Sequence, residues 1–260
     1  MKAWQIFVHS WRQVFGNFGA ALQVSVIPYL IGQAALFGSG LHNYPTAEAL
    51  QAAMDSGQLN PGLAFAVGVV SGVMSLWIAV AWHRFVLTEE RGGVVPVFHA
   101  DRVLGYFGKG LGIGLMIVIP ALLLLMLGAV VGHALFRVDP STLATSPGKF
   151  LLAQLVPLIF LLPVGVLMTR LSAMLPGAAL KPGVPILSGW EATKGESGVM
   201  LGVVGLTFGL ALILQVPLFF IQNSFLVFVW GTITGWISLM LGASVLTTLY
   251  GHYIEKRALV

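Results

Sequence analysis

Ser10-Trp11-Arg12-Gln13-Val14-Phe15-Gly16-Asn17-Phe18-Gly19 is a polar, aromatic-laced turn that ends in Gly-x-x-Gly and opens onto a long apolar run. The pattern returns as Ala100-Asp101-Arg102-Val103-Leu104-Gly105-Tyr106-Phe107-Gly108. It returns again as Gly189-Trp190-Glu191-Ala192-Thr193-Lys194-Gly195-Glu196-Ser197-Gly198. Gly16 to Gly105 is 89 positions and Gly105 to Gly195 is 90. Recurrence at a fixed period marks a repeated supersecondary unit. Residues 1–260 read as a single membrane domain of three units, about 1–91, 92–181 and 182–260.

Outside the cassettes there is little charge. The chain is 57% hydrophobic and 8% charged, with a mean hydropathy of +0.93. Soluble domains carry about 25% charged residues, so most of this surface has to face lipid. A span needs about 20 apolar residues. The charge-free windows are 13–47, 56–82, 110–136, 150–169 and 197–254. The first four hold one span each, near 18–38, 62–82, 110–132 and 150–169. The last is broken by Gln222-Asn223-Ser224 into a hairpin near 199–220 and 225–250. Six spans result.

Lys and Arg orient such a chain. The N-terminal segment, 83–109, 170–196 and the C-terminal segment hold 2, 4, 3 and 2 of them, against Arg137 and Lys149 alone on the other side. Both termini are expected on the cytoplasmic side of a bacterial inner membrane. Lys2, His9 and Arg12 interrupt the N-terminal segment, so it is not expected to be a cleaved signal peptide. Each unit is then a surface helix followed by a hairpin. In the first, Trp4, Phe7, Val8, Trp11, Val14 and Phe15 fall on one helical stripe, which predicts an interfacial helix lying on its aromatic face. The second and third are expected after Pro96 and Pro185, with each Gly-x-x-Gly acting as the hinge into the membrane. Each hairpin exit carries a basic residue and then an apolar one: Arg84-Phe85, Arg170-Leu171, His252-Tyr253. The outer segment 39–61, with Glu48 and Asp55, is expected to hold a short helix.

Arg170-Leu171-Ser172-Ala173-Met174-Leu175-Pro176-Gly177-Ala178-Ala179-Leu180, followed by Trp190-Glu191-Ala192-Thr193-Lys194-Gly195, resembles a bacterial pattern. It is similar to the multi-pass membrane domain attached to some glycerophosphodiester phosphodiesterases, and to related stand-alone six-helix proteins. The resemblance implies the six-span fold. No soluble phosphodiesterase domain lies within these residues, so it carries over no catalytic residue.

The residues that carry chemistry are sparse. No Asp, Glu, Lys or Arg falls near the middle of an expected span, which argues against an ion-coupled carrier, an intramembrane aspartyl protease and a voltage sensor. There is no cysteine, hence no thiol chemistry. His9, His42, His83, His99, His133 and His252 are nowhere spaced as a local metal pair and read as interfacial side chains. Ser188, Ser197, Ser224 and Ser244 lack a nucleophile-elbow context. The spacing Gly110-Leu111-Gly112-Ile113-Gly114 has no preceding strand and reads as helix packing rather than phosphate binding. Pro28, Pro120, Pro157, Pro163 and Pro217 read as kinks, and Gln154 and Gln215 as helix-to-helix hydrogen bonds.

The expectation is an all-α integral membrane protein: six transmembrane helices as three parallel repeats of interfacial helix plus transmembrane hairpin. No catalytic, cofactor or metal site is expected, and no nucleic-acid partner. The function expected is structural, assembly or accessory, binding membrane lipid, anionic lipid included, or a larger membrane complex. The contact residues expected are Trp4, Trp11, Arg12, Arg84, Arg102, Lys109, Arg170, Trp190 and Lys194. A permease-like role for a small or amphipathic molecule is the alternative.

Overall fold

In a computed structural model, the described residues (2–44, 47–137, 147–221 and 223–259) form helices and no strand. The elements are α1 (Lys2–Phe15), α2 (Phe18–Gly38), α3 (Ala47–Asp55), α4 (Pro61–Thr88), α5 (Ala100–Phe136), α6 (Pro147–Phe160), α7 (Leu162–Ser172), α8 (Leu175–Leu180), α9 (Ser188–Ala192), α10 (Ser197–Gln215) and α11 (Ser224–Leu249). Six segments are long and apolar enough to cross a membrane: 18–38, 61–88, 100–136, 155–180, 197–218 and 224–254. The outer helix expected in 39–61 is α3. Residues 138–146, within the Pro/Ser/Thr-rich segment 133–149, and Gln222 lie outside the described residues, as does the side chain of Gln154.

Local chemistry sets the element ends. Asn60 caps α4, its side-chain oxygen accepting from the Gly62 and Leu63 amides, with Pro61 in the first turn. Asn223 does the same for α11 through the Leu226 amide, so the polar break expected there is a helix start. The fourth span is not one helix. It bends at Leu161, between Pro157, which cannot donate an amide hydrogen, and Pro163, which begins a new first turn.

The cassettes do not behave alike. The first breaks at Gly16-Asn17, between α1 and α2. The third breaks at Gly195, whose φ of +83° suits glycine. The second does not break at all. Gly105 and Gly108 lie inside α5, which runs 37 residues, about 55 Å at 1.5 Å per residue. The expected second interfacial helix is the lower part of that rod. Val103 and Tyr106 are buried against the bundle on either side of Gly105 and hold the helix straight through it.

Packing is not alike in the three expected hairpins. α2 lies on α4 and α5 on α6, but α10 and α11 scarcely touch. Instead α1 packs against both of them. Its buried stripe is Ile6, Ser10 and Val14, while Trp4 is 58% exposed and Trp11 37%. Trp4 and Trp11 thus face outward, and the inward stripe carries the Ser10 hydroxyl and takes Val14 from the expected aromatic one. Ser10 and Gln13 find hydroxyl partners on α11, and a buried polar group is tolerable only when bonded. The segment 170–180, expected at the cytoplasmic surface, turns inward as well. Leu171 to Ala179 are all buried, and α8 packs on α4 and α5. Small side chains at Ala173, Gly177, Ala178 and Ala179 let this short helix enter the bundle.

Candidate functional site

Three polar constellations occupy the end of the bundle that carries both termini. The first is wholly interior. His83, at 0% exposure on α4, pairs its Nδ1 with Thr247 Oγ1 at 2.7 Å and its Nε2 with the Tyr106 hydroxyl at 3.2 Å. Thr247 gives its own hydrogen to the Ala243 carbonyl, so it accepts from His83. That fixes the tautomer: Nδ1 carries the hydrogen, and Nε2 accepts from Tyr106. Beside it, the Ser244 hydroxyl donates to Gln13 Oε1 at 2.6 Å, and Ser10 Oγ and Thr248 Oγ1 lie 2.9 Å apart. Four helices, α1, α4, α5 and α11, are fastened here. The expected interfacial role of His83 is corrected: both nitrogens of its ring are bonded inside the bundle, because the apolar exterior of the helices offers no partner.

The second constellation ties down the segment after α4. Arg84 donates through Nε to Glu90 Oε2 at 2.8 Å and through a terminal nitrogen to the Ala179 carbonyl at 3.1 Å. His99 Nε2 meets Glu90 Oε1 at 2.7 Å. The Arg84 hydrogen bond holds the Glu90 carboxyl below the usual carboxylate range. Burial opposes it, and His99 adds to it.

The third surrounds Arg170, which is 6% exposed. Its Nε donates to Thr193 Oγ1 at 3.1 Å, one terminal nitrogen to the Trp190 carbonyl at 2.9 Å, and the other to Ser197 Oγ at 3.4 Å. The Trp190 ring lies flat on the guanidinium, 3.5 Å from its central carbon. Gly189 makes the cage possible, since a Cβ there would stand 2.6 Å from the Arg170 carbonyl oxygen. Thr193 Oγ1 donates back to the Gly189 carbonyl at 2.8 Å. Arg170, Trp190 and Thr193 are the residues that carried the family resemblance, and they meet in one place. Next to them Lys2 bonds Glu196 at 2.8 Å, which pushes the Lys2 ammonium above its ordinary value.

The three exit residues share one action: each reaches forward to hold the segment after its helix. Arg84 holds Glu90, Arg170 holds Trp190, and His252 Nδ1 meets the Arg257 carbonyl at 3.1 Å.

The nine expected contact residues divide by burial. Trp4, Trp11, Arg12, Trp190 and Lys194 are exposed. Arg102 is half-buried and pairs with Asp101 at 3.1 Å. Lys109 donates to the Val184 carbonyl. Arg84 turns to Glu90 and the Ala179 carbonyl, while Arg170 turns to Thr193, Trp190 and Ser197 at one end of a groove. The polar residues that sequence reasoning passed over are Ser10, Gln13, Tyr106, Thr247 and Thr248. The spacing Ser244, Thr247, Thr248 on one face of an apolar helix was the available signal. Among the described residues, no three His, Asp or Glu side chains gather as metal ligands. Comparison with family models, curated proteins and solved structures finds nothing that matches this chain.

Proposed function

We propose that this chain is a non-enzymatic, multi-pass protein of the bacterial cytoplasmic membrane, with both termini cytoplasmic. It serves as an assembly or accessory component that binds anionic lipid or a larger membrane complex. The observation that carries this reading is the distribution of charge at the basic end. Arg12, Lys181 and Lys194 are exposed, and none belongs to an ion pair among the described residues. Each basic residue held at an anionic leaflet contributes about 1 kcal/mol of attraction. Exposed Trp4 and Trp11 suit the same interface.

The permease-like alternative draws on one observation, the bend at Leu161 in the fourth span. Gentle purification followed by mass spectrometry of co-eluting lipids and proteins tests the main reading. Acidic phospholipid or a membrane partner is expected in excess over the bulk membrane. The variant Arg12→Gln/Lys181→Gln/Lys194→Gln is expected to lose most of that excess. Turnover of a substrate by the purified protein in proteoliposomes overturns the proposal, and translocation overturns it in favour of the alternative.

A further inference from the structure

We infer that the open groove between α7 and α10 is a built site for one anionic phospholipid, with the phosphate at Arg170 and Ser197 and an acyl chain along the two helices. The inference deepens the lipid-binding reading above and rests on its membrane setting.

The groove has a volume of about 640 Å³, within the range of pockets that take small organic ligands. Its wall is apolar along most of its length, through residues such as Leu162, Val166 and Leu201. Its polar atoms gather at one end, where Arg170, Trp190 and Ser197 line it. A long apolar trough with a cation at one end is the complement of an amphiphile with an anionic head.

Charge makes the occupant specific. Arg170 is almost fully buried, yet every acceptor it uses is neutral: a threonine hydroxyl, a serine hydroxyl and a backbone carbonyl. None of the ion pairs among the described residues includes it. Burying a cation without an anion is strongly unfavourable. The surroundings make it worse. Ser197 and Gly198 are the first two residues of α10, a 19-residue helix whose amino end is itself positive, and the Glu196 carboxylate at its cap is already paired with Lys2. Two like-signed centres therefore face the same pocket. A phosphate monoanion or diester placed there neutralises both and accepts from the guanidinium and the first-turn amides.

The guanidinium has donors to spare. Arginine carries five N–H groups, and three hydrogen bonds are made among the described residues, the one to Ser197 at 3.4 Å being the longest. Trp190 covers one flat face and Thr193 takes the Nε edge, which leaves the edge towards Ser197 for a ligand. The apolar part of the groove opens sideways on exposed Ile159 and Leu201, the direction from which a lipid tail enters and a soluble anion does not.

Native mass spectrometry of the delipidated protein in a neutral detergent tests this, with phosphatidylglycerol and phosphatidylcholine as probes. One tightly retained phosphatidylglycerol per chain is expected, held about tenfold more strongly than phosphatidylcholine, whose choline cation is repelled by Arg170 and the α10 amino end. Arg170→Gln is expected to abolish that preference. Leu201→Trp fills the trough and leaves the Arg170 cage whole. It is expected to lower retention of phosphatidylglycerol by a similar factor with an unchanged melting temperature, so the test does not depend on Arg170→Gln folding. Equal retention of the two lipids by the native protein overturns the inference. So does equal retention of phosphatidylglycerol by the native protein and Leu201→Trp. Millimolar inorganic phosphate is expected not to displace the lipid, and displacement would assign the site to a soluble anion instead. The variant Arg12→Gln/Lys181→Gln/Lys194→Gln separates the two readings. It is expected to lose the weak, multiple lipid adducts of the outer surface and to keep the single tight one.

Discussion

Glu90 sits between two basic side chains, Arg84 and His99, and closes the stretch that joins the first hairpin to α5. Its carboxyl is held below the ordinary glutamate value of 4.5, first by the Arg84 hydrogen bond. A group depressed in the folded state contributes its stability in full above the unfolded value and loses it as pH falls through the folded one. Amide exchange over residues 89–99, corrected for its intrinsic pH dependence, is therefore expected to quicken as pH falls below 4.5. Glu90→Gln is expected to exchange fast at all pH values and to show no such step. Of this clasp, only the basic residues were legible in the sequence. Arg84 and His99 stood out as charges near a span end, but nothing in the spacing tied both to Glu90. The His83 triad was less legible still, because its partners lie 164 and 23 residues away. A single buried histidine has the same local sequence context as a surface one.

The cassettes make a controlled experiment at the scale of one element. Gly105 and Gly108 lie within a continuous helix, and a Cβ at either meets nothing within 4 Å. Gly195 has the same place in its repeat and φ of +83°. Gly105→Ala and Gly108→Ala should each stabilise the protein by about 0.5–1 kcal/mol, the helix-interior cost of glycine. Gly195→Ala should destabilise it by on the order of 1 kcal/mol, the cost of a left-handed non-glycine residue. Thermal unfolding in detergent reads both signs. Equal effects at all three positions would mean that the cassettes share one backbone after all. The number and rough places of the six apolar spans were readable because charge and polar breaks separate them, and Asn60 and Asn223 cap where two of the runs begin. The continuity of α5 was not. Glycine permits a hinge without requiring one, and what decides is the burial of Val103 and Tyr106 by distant helices. The inward turn of 171–179 was hidden for a related reason. Small apolar residues suit a tight helix contact and a surface loop equally well.

At the scale of the molecule, α1 is a wedge, and the chain has no cysteine of its own to confuse a crosslinking test. Ser10 Oγ and Thr248 Oγ1 stand 2.9 Å apart, so the double variant Ser10→Cys/Thr248→Cys should oxidise to an intramolecular disulfide under mild conditions. Trp4→Cys/Thr248→Cys should not, since Trp4 faces outward. Mobility on non-reducing gels separates the two. The sequence already placed α1 at the same end as the last helix. Which of its stripes faced inward depended on α11, whose Ser244 and Thr248 accept the polar side and leave the aromatic side for the surroundings.

The wedge has a consequence for how the protein is made. α1 leaves the ribosome before the two helices that seat it, so Ser10 waits through 238 residues of synthesis for Thr248. Contacts of such separation close late in folding. Until they do, the inward stripe of α1 lacks partners and α10 and α11 have little hold on each other. The contact of α1 with α10 and α11 closes the fold across most of the described chain. A chain interrupted before α11 leaves Ser10 and Gln13 of α1 without their hydroxyl partners.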